Sequence, residues 1–223
     1  FNTIYYRNKY ADWSGWVSAP KHIKSVQNGV YALKDCVCCG DSLSVSLSYP
    51  TSDGVVVDSW AKIFSEKICV GQKCNVQARG GITTGQYLLS NLYNNAINDI
   101  SQFAILYLGT NDSNQNIDID TFKNNYTQLI NGLLTNHRFV FCISLTKPIV
   151  SGEWMKYNNV ISSICNTIDK AFYVDITEYA DVLTPYSTGH LSSIGYSVLA
   201  NCISEKINDV MSKNDYFRIE IDL

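Results

Sequence analysis

The stretch Asp35-Cys36-Val37-Cys38-Cys39-Gly40-Asp41-Ser42-Leu43 sets the reading of the whole chain. Its first half is an unbroken apolar run closed by a glycine, the pattern of a short strand buried on both faces. Its second half is a turn that carries a carboxylate and a hydroxyl. Four further runs read the same way, at residues 75–78, 103–108, 139–145 and 172–176. Between the runs lie segments of helical period. Tyr87, Leu88, Leu92, Ala96 and Ile100 form one apolar stripe, and Phe122, Tyr126, Leu129, Ile130 and Leu133 form another. The longest stripe, in a C-terminal helix, holds Leu191, Ile194, Val198 and Cys202 beside Ile203, Ile207 and Val210. Five strands alternating with helices predict an α/β fold, a three-layer α/β/α sandwich around a five-stranded, mainly parallel sheet. In such sheets ligands bind beyond the carboxyl ends of the strands, so the chemistry is expected there.

Composition bounds the function. The 223 residues suit one sizeable domain with a short appendage, divided here as residues 1–34 and 35–223. With 46% hydrophobic and 17% charged residues, the chain is globular rather than disordered. Lys+Arg 17 against Asp+Glu 20 gives a net charge of -3, so no basic surplus exists to dock nucleic acid or an anionic membrane. No apolar run approaches the roughly 20 residues of a membrane span. The start, Phe1-Asn2-Thr3, lacks an initiator Met and the regions of a signal peptide, so the chain reads as a piece of a longer polypeptide.

The eight cysteines do not form metal-ligand spacings. Cys36, Cys38, Cys39 and Cys142 fall in strand runs, and Cys165 and Cys202 fall on apolar helix faces, as expected of reduced core thiols made in the cytosol. Only Cys69 and Cys74 flank a turn in a way that suits a disulfide. His22, His137 and His190 are scattered. Gly80 and Gly81 lack the dinucleotide spacing, and neither a phosphate-binding Gly-Lys-Ser/Thr nor a His-Glu-x-x-His occurs. No metal or other cofactor is expected.

The strand ends hold the chemistry. The first ends in Gly40-Asp41-Ser42, the second in Arg79-Gly80-Gly81-Ile82-Thr83, and the third in Leu108-Gly109-Thr110-Asn111-Asp112. Thr188-Gly189-His190 precedes the last helix. Taken singly, these are a turn serine, a glycine turn and helix caps. Together they supply a hydroxyl nucleophile, backbone and carboxamide donors, and an imidazole, the parts of an acyl-transfer site.

That conjunction resembles the SGNH hydrolases, the GDSL family of esterases and lipases. Their four blocks, Gly-Asp-Ser, a glycine, Gly-x-Asn-Asp and a late histidine, match Gly40-Asp41-Ser42, Gly81, Gly109-Thr110-Asn111-Asp112 and His190 across residues 35–212. Gly81 is preferred to Gly80 because Gly81-Ile82-Thr83 has the family's Gly-x-Thr/Ser form. The resemblance implies that Ser42 is the nucleophile and His190 the base. It also implies an oxyanion hole made by the backbone N–H groups of Ser42 and Gly81 and the side chain of Asn111. Asp41 is expected to hold its loop.

One position departs from the family. Three residues before the histidine it carries Asp, and here stands Ser187. Three readings compete: a Ser–His dyad with His190 oriented by a backbone carbonyl, a displaced acid such as Asp181, or a weak or dead enzyme.

The first 34 residues do not share the alternating pattern. Their aromatic-rich run closes in Trp13-Ser14-Gly15-Trp16, which resembles strand motifs of bacteriophage tail-fibre and baseplate proteins. The competing reading is a strand or arm packed on the main domain. The alternating tail at residues 216–223 predicts a short edge strand. The expected function is hydrolysis of short acyl, chiefly acetyl, esters on a carbohydrate or bacterial surface polysaccharide. The polar loop at residues 46–54 and the polar run Asn111-Asp112-Ser113-Asn114-Gln115-Asn116 suit a wet cleft better than a lipid tunnel. A lipase or thioesterase is a further option. The rival from another class is a non-catalytic carbohydrate-binding module using Tyr5, Tyr6, Trp13 and Trp16. A homo-oligomer and a larger phage-tail polypeptide are both compatible assemblies.

Overall fold

The structure, a computed structural model, describes residues 23–25, 30–32, 35–45, 59–68, 74–146, 153–179, 190–191 and 193–213. The aromatic run ending at Trp16, the edge strand expected at 216–223, Cys69, His22, Asp181 and Ser187 lie outside these residues.

Five strands form one sheet: β3 (Cys36–Gly40), β4 (Cys74–Ala78), β5 (Phe103–Tyr107), β6 (Val140–Ile143) and β7 (Ala171–Val174). Their order is β4-β3-β5-β6-β7, and every neighbouring pair is parallel. A separate antiparallel pair, β1 (Ile23–Ser25) and β2 (Val30–Ala32), precedes the sheet. The expected five-stranded α/β architecture is present, and the sheet is parallel throughout.

Alternation along each strand divides the core in two. Cys36, Cys38, Phe103, Ile105, Phe139, Phe141 and Val174 face one cluster, closed by α1 (Trp60–Ile68) and the long α7 (Ser193–Lys213). Val37, Cys39, Ala104, Leu106, Val140 and Cys142 face the other. That second layer is α2 (Thr84–Leu88), α3 (Asn91–Ile97), α5 (Ile119–Leu133) and α6 (Trp154–Cys165), with the short α4 (Thr110–Asn114) at its head. The three inner strands β3, β5 and β6 are buried at every position because both faces are covered, whereas the edge strand β4 carries Asn75 and Gln77 and is half-buried along its length. Phe103, Phe139 and Phe141 form an aromatic group with centroids 5.4 to 5.7 Å apart. Each such ring, fully buried, contributes roughly 2–3 kcal/mol.

The stripe in α5 is buried as its period predicts. Two other stripes differ. The segment around Tyr87 is two short helices, broken at Leu89-Ser90, because the Ser90 hydroxyl caps α3 by accepting from the Tyr93 N–H. Ile100 then lies past the helix end and is 95% exposed. In α7 the buried line is Tyr196, Leu199, Ile203, Ile207 and Met211, while Ile194 is 74% exposed and the buried Leu191 precedes the helix. All seven described cysteines are free thiols, Cys74 included. No described helix is long and apolar enough to cross a membrane, and the described residues hold no metal-binding cluster.

Candidate active site

Strand order places the candidate residues. From β3 the chain crosses to β4 on one side and then returns past β3 to β5 on the other, which puts the topological switch between β3 and β5. A crevice opens at such a point outside the carboxyl ends of the strands. Ser42 follows β3, Gly81 follows β4 and Asn111 follows β5, so three of the expected residues leave three adjacent strands at one edge.

The turn after β3 is tight. The Ser44 N–H donates to the Asp41 carbonyl at 3.0 Å, and the Leu43 N–H donates to Asp41 Oδ1 at 3.0 Å. A Cβ at Gly40 would lie 2.2 Å from Ser44 Oγ, so only glycine admits this turn. Trp60 Nε1 donates to Ser44 Oγ at 3.2 Å and ties the turn to α1. Ser42 is left half-buried at the turn's apex. Asp41 is 1% exposed and holds the loop, the role its position suggests. Burial, the largest cause, pushes its carboxyl up to about 7, against the opposing Leu43 N–H, and the nearby Asp112 charge pushes it the same way.

Gly81 is exposed with φ +72, a conformation that suits glycine. Immediately after it, Thr83 caps α2 in a reciprocal box with Gln86: the Gln86 N–H donates to Thr83 Oγ1 and the Thr83 N–H donates to Gln86 Oε1. Asn111 sits in the first turn of α4, behind Gly109, where a Cβ would come 3.1 Å from the Phe122 ring. Its Nδ2 donates to the Ile82 carbonyl at 3.1 Å and, at 3.5 Å, faces Asp41 Oδ2. One side chain thus touches all three loops.

Asp112 adds a second tie that sequence reasoning assigned only to helix capping. Its buried carboxylate accepts from the Thr84 N–H at 2.9 Å and from Thr84 Oγ1 at 2.5 Å. Burial is the main cause that raises its pKa, and the Thr84 hydrogen bonds oppose it. Nothing in the sequence pairs residues 28 apart on different loops; the identity of Thr84 as a partner is legible only in three dimensions.

His190 lies in a bend before α7, half-buried. The next residue, Leu191, belongs to the same buried cluster as Leu43, which follows Ser42. Tyr196, in the first turn of α7, is raised to about 12 by burial and then by the nearby Asp41 charge, so the head of α7 lies near the turn after β3. Of the other histidines, His137 is buried with both ring nitrogens on backbone carbonyls, of Ser101 and Ala96, each at 2.9 Å. It braces the end of α3 against the start of β5 and takes no part in the crevice.

No family model and no curated protein matches the sequence. Solved structures match the fold. A lipase/acylhydrolase from Enterococcus faecalis superposes with a TM-score of 0.63 at 17% identity, covering 79% of this chain and 96% of that one. An acetylxylan esterase from Geobacillus stearothermophilus gives 0.60 at 16% identity, covering 79% and 94%. A protein of the G-D-S-L family from Desulfitobacterium hafniense gives 0.57 at 17% identity, covering 79% and 99%. The chain has the fold of the SGNH hydrolases.

Proposed function

We propose that this chain is a serine ester hydrolase, with Ser42 as nucleophile and His190 as general base. The observation that carries the reading is the convergence of Ser42, Gly81 and Asn111 at one sheet edge, with the Asn111 amide spanning their loops. Imidazole titrates near neutral pH and can take the Ser42 proton as Oγ attacks the carbonyl carbon. The negative charge that develops on the carbonyl oxygen is met by the N–H groups of Ser42 and Gly81 and by Asn111 Nδ2, each such donor lowering the barrier by roughly 3–4 kcal/mol. Collapse expels the alcohol, which takes the proton from His190. Water then attacks the acyl-serine with His190 again as base and releases the acid.

The substrate assigned is a short acyl ester, chiefly acetyl, on a carbohydrate. Of the polar run after Asn111, Asp112 and Ser113 are buried and only Gln115 and Asn116 are exposed, so the support for this reading is a fold shared with an acetylxylan esterase. Turnover of p-nitrophenyl acetate, abolished in Ser42→Ala with an unchanged melting temperature, is the expected result. A folded wild type with no turnover of short or long acyl esters overturns the reading in favour of a carbohydrate-binding module.

A further inference from the structure

A groove of about 490 Å³ opens between α2 and α5, beginning where the oxyanion loops end. Thr83, two residues past Gly81, lines its head, and Asp112, the neighbour of Asn111, lies beneath its floor. Its volume falls within the range of small-molecule clefts. We infer that this groove is the subsite for the uncharged glycan that bears the ester, an inference that rests on the hydrolase reading above.

The lining chemistry selects the ligand class. Gln86 uses its Oε1 to accept from the Thr83 N–H, which leaves the Nε2 donor for a ligand. Asn125 donates its Nδ2 toward Thr84 Oγ1 at 3.4 Å, which leaves its Oδ1 acceptor. The Gln128 amide has no hydrogen-bond partner among the described residues, its backbone carbonyl alone being engaged by Tyr93. Donors and acceptors set side by side match vicinal hydroxyls, each of which both donates and accepts. Leu88 and Leu89 line the same groove, and Leu89 is 92% exposed, an apolar surface for the C–H faces of a sugar ring. Among the described residues no lysine or arginine lines it, so an anionic ligand finds no counter-charge there.

The test compares two acetyl esters, p-nitrophenyl acetate and an acetylated xylo-oligosaccharide, in wild type, Gln128→Leu and Thr121→Trp. Gln128→Leu deletes the unpartnered amide, and Thr121→Trp fills the groove from the exposed, groove-lining face of α5. Both variants are expected to lower the ratio of kcat/KM for the oligosaccharide to kcat/KM for p-nitrophenyl acetate at least tenfold, chiefly through KM, since a site built to bind hydroxyls loses affinity when a partner is removed. An unchanged ratio in both variants overturns the subsite. A wild type that cleaves p-nitrophenyl acetate but not the oligosaccharide overturns the glycan assignment and leaves the hydrolase reading standing. If wild type cleaves neither, the hydrolase reading fails on its own. Calorimetric titration with the unacetylated oligosaccharide then decides the groove: heat that Gln128→Leu loses supports it, and no heat in wild type overturns it.

Discussion

Asn111 Nδ2 stands 3.1 Å from the Ile82 carbonyl and 3.5 Å from Asp41 Oδ2, so both of its hydrogens point at the protein's own acceptors. The contact with Asp41 is the longer and weaker one. It is the one an oxyanion would displace. Asn111→Ala is expected to lower kcat on p-nitrophenyl acetate by about a hundredfold or more with KM nearly unchanged, since the donor acts on developing charge rather than on bound ester. A parallel rise in KM and a constant kcat would assign Asn111 to ground-state binding instead.

Asp112 and Thr84 hold the Gly81 loop to the turn that bears Asn111, through bonds of 2.9 and 2.5 Å. In the proposed hydrolase they are positioning residues, setting the separation of the two proposed oxyanion donors. Thr84→Val keeps the backbone donor and the side-chain volume but deletes the hydroxyl. It is expected to cost about 1.5–3 kcal/mol of stability in urea unfolding. It should also lower kcat while KM stays within about twofold, and Thr84→Ser should restore the rate. A purely structural bond would leave kcat of the folded fraction untouched.

Asp41 makes stability depend on pH. Burial raises its carboxyl from 3.8 to about 7 in the fold, so the folded state holds this proton more tightly than the unfolded chain. Its contribution is therefore complete below about pH 4 and is lost as pH rises through about 7, to an extent of up to about 4 kcal/mol. Asp112 is shifted in the same direction. Urea unfolding of wild type should show stability falling between pH 4 and 8, and Asp41→Asn should flatten part of that slope. A wild-type slope of opposite sign would mean that Asp41 is ionised in the fold.

The orientation of His190 separates the dyad from a displaced acid. With a backbone carbonyl as the orienting group, Asp181→Asn should change kcat by less than about threefold, while His190→Ala leaves less than about a tenth of the rate. A loss of orders of magnitude in Asp181→Asn would make it the third member of the site, because the amide stabilises the wrong tautomer. Rates on p-nitrophenyl acetate with matched melting temperatures decide between them.

Much of this protein is local in origin, and that part is legible in the residues themselves. Cys36–Gly40 and Phe103–Tyr107 read as strands because a strand covered on both faces must be apolar at every position. Phe122, Tyr126, Leu129, Ile130 and Leu133 read as a helix face because burial repeats at the helical period. Gly40, Gly81 and Gly109 mark turns that only a residue without a side chain allows or favours. Tertiary structure alone decided the rest. The order β4-β3-β5 brings the loops of Ser42, Gly81 and Asn111 to adjacent strand ends, and which strand pairs with which leaves no trace in any one of them. Ile100 and Ile194 follow the apolar period and yet face solvent, since a stripe ends where its covering layer ends, not where its residues change. The raised carboxyl of Asp41 and the bond from Asp112 to Thr84 likewise arise from burial and from partners on other loops. Desolvation and hydrogen bonding depend on distance in space, and separation along the chain carries no information about either.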